Sequence, residues 1–327
     1  MLGCDRRPVR VCHDLRVTQY PVDSLLHLLD LDRHPGDVFV GPSHEVSYTR
    51  IFGGQVAAQA LVAAGRTVDP ERHVHSLHAY FLRPGDPTEP VEFHVERMRD
   101  GRGFSVRRVL AHQHGKVTFA MSASFHLPEA TVIEHTILAP EVPAPEDLPS
   151  LRDLMQPHLE QLPPILVEIT PPVDIRPVRG LGQKLVAWWG DAYPGHPSQD
   201  EIVGGYPGED VMWFRADGPM PDDPLLHVCL ATYFSDTTLL DAVQRRHGYY
   251  VGSGDLDVAS LDHAMWFHKP YRADEWALYI TASPAADRGL GFARGRMFDT
   301  RGQLMISITQ EGLFRRPTAP GAPLARP

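Results

Sequence analysis

Alternation of apolar and polar residues marks most of the strands predicted in two tracts of this chain, and the first tract is preceded by residues of helical period. In the first tract the alternation predicts β-strands over residues 74–82, 90–99, 104–112 and 116–126. Asp100-Gly101-Arg102-Gly103 and His114-Gly115 supply the tight turns between the later strands. Ahead of them, apolar residues at Val22, Leu25, Leu26, Leu28, Leu29 and Leu31, with Asp23 or Ser24 as cap, predict a short amphipathic helix within residues 20–32. Gly53-Gly54 opens a second helix to about Ala64. Its alanine-rich faces predict burial, because small side chains let neighbouring strands approach closely.

The second tract reads as a strand over 211–216, a helix opening at Ser235-Asp236, and strands over 258–268, 276–283, 289–298 and 303–314. Between the tracts, eleven prolines fall within residues 128–177. That composition excludes a central strand and predicts an extended connector, with room for a short helix in 148–162. The second tract begins near Asp174 and carries a Gly- and Pro-rich insertion over 190–208.

The tracts resemble one another. Residues 52–61 align without a gap on 234–243, residues 74–84 on 260–270, and residues 116–126 on 303–313. The alignment sets Gly54 against Asp236, Val74 against Ser260 and Ala123 against Gln310. A duplicated fold that holds an Asp, a Ser and a Gln in one copy only predicts a single reaction centre. One helix followed by long antiparallel strands, twice over, predicts an α+β double hotdog: two tandem repeats, each an antiparallel sheet wrapped around a central helix.

Composition narrows the classes. At 327 residues with 43% hydrophobic and 22% charged positions, the chain has enough apolar material for two cores and is not disordered throughout. A net charge of -10 argues against a nucleic-acid partner. Cys4, Cys12 and Cys229 form neither a disulfide framework nor a metal-ligand spacing, which suggests a reducing, cytoplasmic setting. No run of apolar residues is long enough for a membrane span. Residues 1–19 carry four Arg against two Asp and lack the apolar centre of a signal peptide, so they read as a disordered extension.

Ile51-Phe52-Gly53-Gly54-Gln55, the block from His75 to Asp86, the block from Ser260 to His268, and Thr309-Gln310-Glu311-Gly312 resemble the acyl-CoA thioesterase II family, and the resemblance runs from about Val22 to Arg316. It implies hydrolysis of fatty acyl-CoA to free acid and CoA, within fatty acid metabolism, with no metal and no cofactor. It also implies that the reaction centre of an Asp, a Thr or Ser, and a Gln falls on Asp236, Ser260 and Gln310. The organisation expected is an extension (1–19), a first repeat (20–130), a Pro-rich connector (131–173), a second repeat with the catalytic residues (174–316) and a tail (317–327). Acyl-CoA is the partner implied, and a homo-oligomer is compatible with the sequence.

Each residue also has a structural reading. Asp236 at a helix start is a routine N-cap. Gln310 alternates in phase with Leu304, Ile306, Ile308 and Phe314, so it lies on the apolar face, where any buried amide needs partners. The matched face of the first tract, Val117, Phe119, Met121, Ala123 and Phe125, is wholly apolar, which favours a functional amide. Ser260 is the weakest of the three, since a strand Ser can bond its own backbone. Gly53 and Gly54 are candidates for backbone oxyanion donors, or merely for close packing. His78 and His263 read as hydrogen-bonded core histidines and His268 as a surface one. Arg83, Arg99, Arg102, Arg107 and Arg108 are candidates for the CoA phosphates. The competing classes are a hotdog hydratase or dehydratase, which would need a His paired with a carboxylate, and a non-catalytic acyl-CoA binding module.

Overall fold

The computed structural model describes residues 22–43, 50–156, 172–179, 208–247, 249 and 255–317. The predicted extension, the insertion up to residue 207, the far part of the connector helix and nearly all of the tail lie outside the described residues.

The first repeat comprises α1 (Val22–Leu29), β1 (Asp32–His34), β2 (Val38–Gly41), α2 (Gly53–Gly65), β3 (His73–Phe81), β4 (Val91–Asp100), β5 (Phe104–Gln113) and β6 (Lys116–His126). A short helix, α3 (Leu151–Met155), lies in the connector. The second repeat comprises β7 (Val173–Arg179), β8 (Asp210–Ala216), α4 (Pro224–Ser235), α5 (Asp241–Arg246), β9 (Asp257–Ser260), β10 (Asp262–Phe267), β11 (Ala277–Asp287), β12 (Leu290–Phe298) and β13 (Leu304–Arg315). The alternating tracts thus became strands close to where the pattern put them. At the β5–β6 turn, His114 and Gly115 both take positive φ, the backbone twist that a two-residue hairpin requires.

All thirteen strands described join one antiparallel sheet in the order β1-β2-β4-β5-β6-β3-β10-β13-β12-β11-β8-β7, with β9 paired to β13. The seam between repeats is the β3–β10 pair, where Leu77 faces Met265 and Ala79 faces His263. The strand registers bear out two of the three internal alignments. Val74 faces Phe125 as Ser260 faces Gly312, and both pairs are matched by the repeat.

The third alignment is overturned. The helix expected to start at Ser235-Asp236 instead ends there: α4 begins at Asp223-Pro224, where the Asp223 carboxylate accepts from the Leu225 N–H, and Asp236 is its C-cap. Asp at the N-cap and Pro in the first turn are strong start signals. They were masked because α4 is apolar on every face and so shows no helical period. α4, not the segment after it, is the counterpart of α2, and Gly54 is not the equivalent of Asp236.

α2 and α4 lie antiparallel under the concave face of the sheet, with Gly54 against the Tyr233 carbonyl and Gly65 against Leu225. Ala57, Ala58, Ala60, Leu61, Ala63 and Ala64 are buried around α2, and the central core runs without interruption from one repeat to the other. The connector does more than span. It covers the outer face of the second repeat, where the Trp213 indole donates to the Pro143 carbonyl (3.0 Å) and the Trp276 indole to Glu146 (3.1 Å). Pro177 was expected to preclude a central strand, and it sits in the outermost strand, β7, beside a register shift.

Candidate functional site

The site forms where the C-terminal end of α4 lies beside the N-terminal end of α2 in the antiparallel pair. α4 finishes at Ser235, and Asp236 follows in helical conformation with its carboxylate turned to the first turn of α2. That turn has no side-chain cap of its own, since Phe52 occupies the N-cap position. The Gly54 N–H donates to the Asp236 carboxylate, so an acid from the second repeat caps the helix of the first. The expected capping role of Asp236 is therefore corrected in detail: it caps α2 rather than its own helix.

β13 carries Gln310 toward the same point. Its amide Nε2 donates to Asp236 Oδ1 at 2.6 Å and to Ser260 Oγ at 2.9 Å. The Ser260 hydroxyl in turn donates to Asp236. Ser260 arrives there because the strand over 258–268 is interrupted at Leu261, whose N–H donates to the Glu311 carbonyl while its carbonyl accepts from Phe81 N–H. The three residues that the sequence singled out are thus in mutual hydrogen-bond contact, although Asp236 and Gln310 are 74 positions apart.

Electrostatically the carboxylate is balanced between opposing effects. Burial raises the Asp236 pKa to about 6; the Gln310 amide, the Gly54 N–H, the Arg50 guanidinium and the Ser260 hydroxyl act in the other direction. Arg50, which also donates to the Val258 carbonyl, carries a pKa lowered by its burial and raised in part by Asp236. Asp241, on α5, is likewise pushed up to about 6 by burial and sits in an ion network with Arg245 and Asp210. Neither Arg50 nor this network stood out in the sequence. Arg50 acts across 208 positions, and Asp210, Asp241 and Arg245 converge only in three dimensions.

The two glycines have separate reasons. A side chain at Gly53 would meet Asp236 and the Phe81 ring, and one at Gly54 would run into the Tyr233 carbonyl and the Phe52 ring. Close packing of the helix ends is therefore required whatever else they do. His263 is buried as expected, with Nε2 2.9 Å from Ser235 Oγ. His78 departs from expectation: it is exposed on the outer face of β3, edge-on to Trp266. His268 is exposed and bonded to Ser307.

The pseudo-equivalent place in the first repeat is filled. Where β12 has Ala293 beside Gln310, β5 has Arg107 beside Ala123. The Arg107 side chain is 1% exposed and donates to Thr67, to the Arg99 and Val106 carbonyls and to Asp100. It is a structural cation rather than a phosphate ligand. Arg83 donates to the Val117 carbonyl, and Arg108 pairs with Glu96 on the surface. Beside the Asp236 turn, an apolar cleft is lined by Ile175, Met212, Phe214, Phe234, Thr237 and Tyr279. No cluster of His, Cys, Asp and Glu suited to a metal ion occurs among the described residues. None of the described helices is long and apolar enough to cross a membrane.

A wrapped antiparallel sheet around two central helices, with one polar trio at their junction, defines a double-hotdog thioesterase architecture, and comparison with known proteins agrees. Residues 192–313 match the acyl-CoA thioesterase family model, and residues 42–126 match the acyl-CoA thioesterase N-terminal domain. The chain is 36% identical to human acyl-coenzyme A thioesterase 8, over 90% of this chain and 88% of that protein. It is 35% identical to acyl-CoA thioesterase 2 of Haemophilus influenzae, over 90% of this chain and 98% of that one. The crystal structure of an acyl-CoA thioesterase II from Mycobacterium marinum superposes with a TM-score of 0.71 at 40% identity, covering 90% of this chain and 99% of that one. The chain belongs to the acyl-CoA thioesterase II family of thioester hydrolases.

Proposed function

We propose that this protein hydrolyses fatty acyl-CoA to the free fatty acid and CoA, with the attacking water held by Asp236, Ser260 and Gln310. The observation that carries this reading is the single amide of Gln310 bridging Asp236 and Ser260 in a duplicated fold whose other half has Ala123 and Val74 at the matched strand positions. Asp236, with its pKa raised toward neutrality, takes a proton from the water as the oxygen attacks the thioester carbonyl carbon. The C–S bond then breaks and CoA leaves as a thiolate, which a proton from Asp236 or solvent neutralises. A thiolate is a good leaving group near neutral pH, so no strong general acid is required.

Gln310 and Ser260 orient the water and stiffen the carboxylate. The positive end of α2 lies beside the reacting point, where backbone N–H groups favour developing negative charge. Since the Gly54 N–H is committed to Asp236, the Gly53 N–H is the backbone donor assigned to the oxyanion. Incubating the purified protein with decanoyl-CoA and a thiol reagent tests the reading. Release of CoA together with decanoic acid is expected; absence of CoA release, with the protein folded, would refute it.

A further inference from the structure

β9 is held along both of its edges, and the second hold comes from the other repeat. On one side it pairs with β13, with Ser260 opposite Gly312 and Val258 opposite Phe314. Phe314 sends its N–H the other way, to the Gly289 carbonyl, so the Val258 carbonyl faces away from β13. Nη2 of Arg50 donates to that carbonyl at 2.5 Å. Arg50 is half-buried, and its backbone is anchored where the next residue, Ile51, donates its N–H to the Gly85 carbonyl.

Both ends of this bond lead into the reaction centre. Two residues after Arg50, Phe52 is the N-cap of α2, whose Gly54 N–H donates to Asp236. Two residues after Val258 comes Ser260, which shares the Gln310 amide with Asp236. A guanidinium bonded across 208 positions therefore links the helix end that holds Asp236 to the strand that brings Ser260. β9 has only four residues, so one bond at its free edge weighs heavily on where Ser260 lies.

The charge counts as well as the bond. Against the burial that raises the Asp236 pKa to about 6 stand three hydrogen bonds and one positive charge, that of Arg50. Asp257, on β9, is the second carboxylate coupled to the guanidinium. Burial lowers the Arg50 pKa and the two carboxylates raise it, yet a guanidinium stays charged throughout the range in which Asp236 titrates.

Resting on the proposed roles of Asp236 and Ser260, we infer that Arg50 is a positioning residue for the reaction: its guanidinium ties β9 to the entry of α2, which sets Ser260 against Asp236, and its charge holds the Asp236 carboxylate in the ionised form that accepts a proton. The other ionisable groups coupled to that carboxylate are Asp241 on α5, with Arg245 and Asp210 behind it, Tyr233 on α4 and Tyr279 on β11. They stay unchanged in the variants that test the inference.

Arg50→Lys and Arg50→Met, assayed with decanoyl-CoA, separate the two parts. Lys keeps the charge and a donor; Met keeps much of the length and neither. At about pH 8, where Asp236 is ionised in each protein, Arg50→Met should lower kcat by roughly threefold to thirtyfold with KM little changed, and Arg50→Lys should recover most of that loss. At about pH 5 the kcat/KM of Arg50→Met should fall by roughly a further tenfold, because losing the positive charge raises the Asp236 pKa and moves the acid limb upward. Arg50→Lys should leave the limb in place. In a Ser260→Ala background the loss at high pH should disappear while the loss at low pH persists, since only the first acts through the hydroxyl.

If Arg50→Met does not fold, Arg50→Gln, neutral but still polar, takes its place with the same pH signature expected. An unimpaired Arg50→Met, losses equal in Lys and Met and independent of pH, or losses additive with Ser260→Ala would overturn the inference. A raised KM with kcat unchanged would overturn it too, by making Arg50 a ligand of CoA. An active Asp236→Asn enzyme would instead overturn the reading on which it rests.

Discussion

The Gly54 N–H donates to the carboxylate of Asp236, so a residue at the C-terminal end of one central helix closes the N-terminal end of the other. The relationship ties the repeats together at one point and explains the asymmetry. A C-terminal helix end is electrostatically unfavourable for a carboxylate, and an N-terminal end favours it. At this junction the base is held by the helix that opposes its own.

The pH dependence follows from that balance. Burial raises the Asp236 pKa to about 6, so kcat/KM should fall about tenfold per pH unit below that value and level off above it. Asp241 titrates in the same range and couples to Asp236. Asp241→Asn should therefore shift the limb to lower pH without abolishing it. A pH profile flat from 4 to 8 would contradict a carboxylate base at this site.

Gln310→Ala places in the second repeat the residue that the first repeat has at Ala123. Turnover should fall about tenfold to a thousandfold, the scale for losing a donor aimed at the reacting atoms. Titration of the unaltered protein with a non-hydrolysable acyl-CoA analogue should saturate near one per chain, because Arg107 fills the pseudo-equivalent place. Two equivalent sites per chain would contradict this.

Arg107→Ala separates structure from chemistry. It removes five hydrogen bonds and a buried side chain, and should destabilise the fold by roughly 2–4 kcal/mol. The folded fraction should keep wild-type kcat and KM. A raised KM would return Arg107 to the CoA phosphate role first considered for it.

Gly54→Ala adds one methyl group where α2 touches α4. It meets the Tyr233 carbonyl and the Phe52 ring, so the helix ends must separate, at about 1–3 kcal/mol of stability. Because that separation moves Asp236 from the Gly54 N–H, kcat should fall with it. A stable, fully active Gly54→Ala protein would show that the close contact is not needed.

Much of this was legible in one dimension, for physical reasons. Strands buried on one face alternate, which is why β4–β6, β12 and β13 stand where the pattern puts them and why Gln310 stood out on an apolar face. α4 was missed because a helix buried on all sides has no amphipathic period, and the ungapped match of 52–61 to 234–243 then set Asp236 at a helix start. The Asp223-Pro224 pair was the available signal. β1 and β2, of three and four residues, are too short to alternate visibly. Arg50 and Asp241 became apparent only when distant segments were brought together.

The most direct test of the central claim is kcat and thermal stability of Asp236→Asn, measured together at pH 8. Asn keeps an acceptor for the Gly54 N–H and removes the charge. Keeping that carboxylate ionised in a buried site opposes folding: its folded pKa lies above the usual value, so the stability it lends at low pH is lost as pH rises through about 6. Turnover on decanoyl-CoA should fall roughly a hundredfold or more, the scale of a lost general base, with a melting temperature equal to or above wild type. Near-normal turnover in a folded Asp236→Asn protein would contradict it and leave Asp236 as the cap of α2 alone.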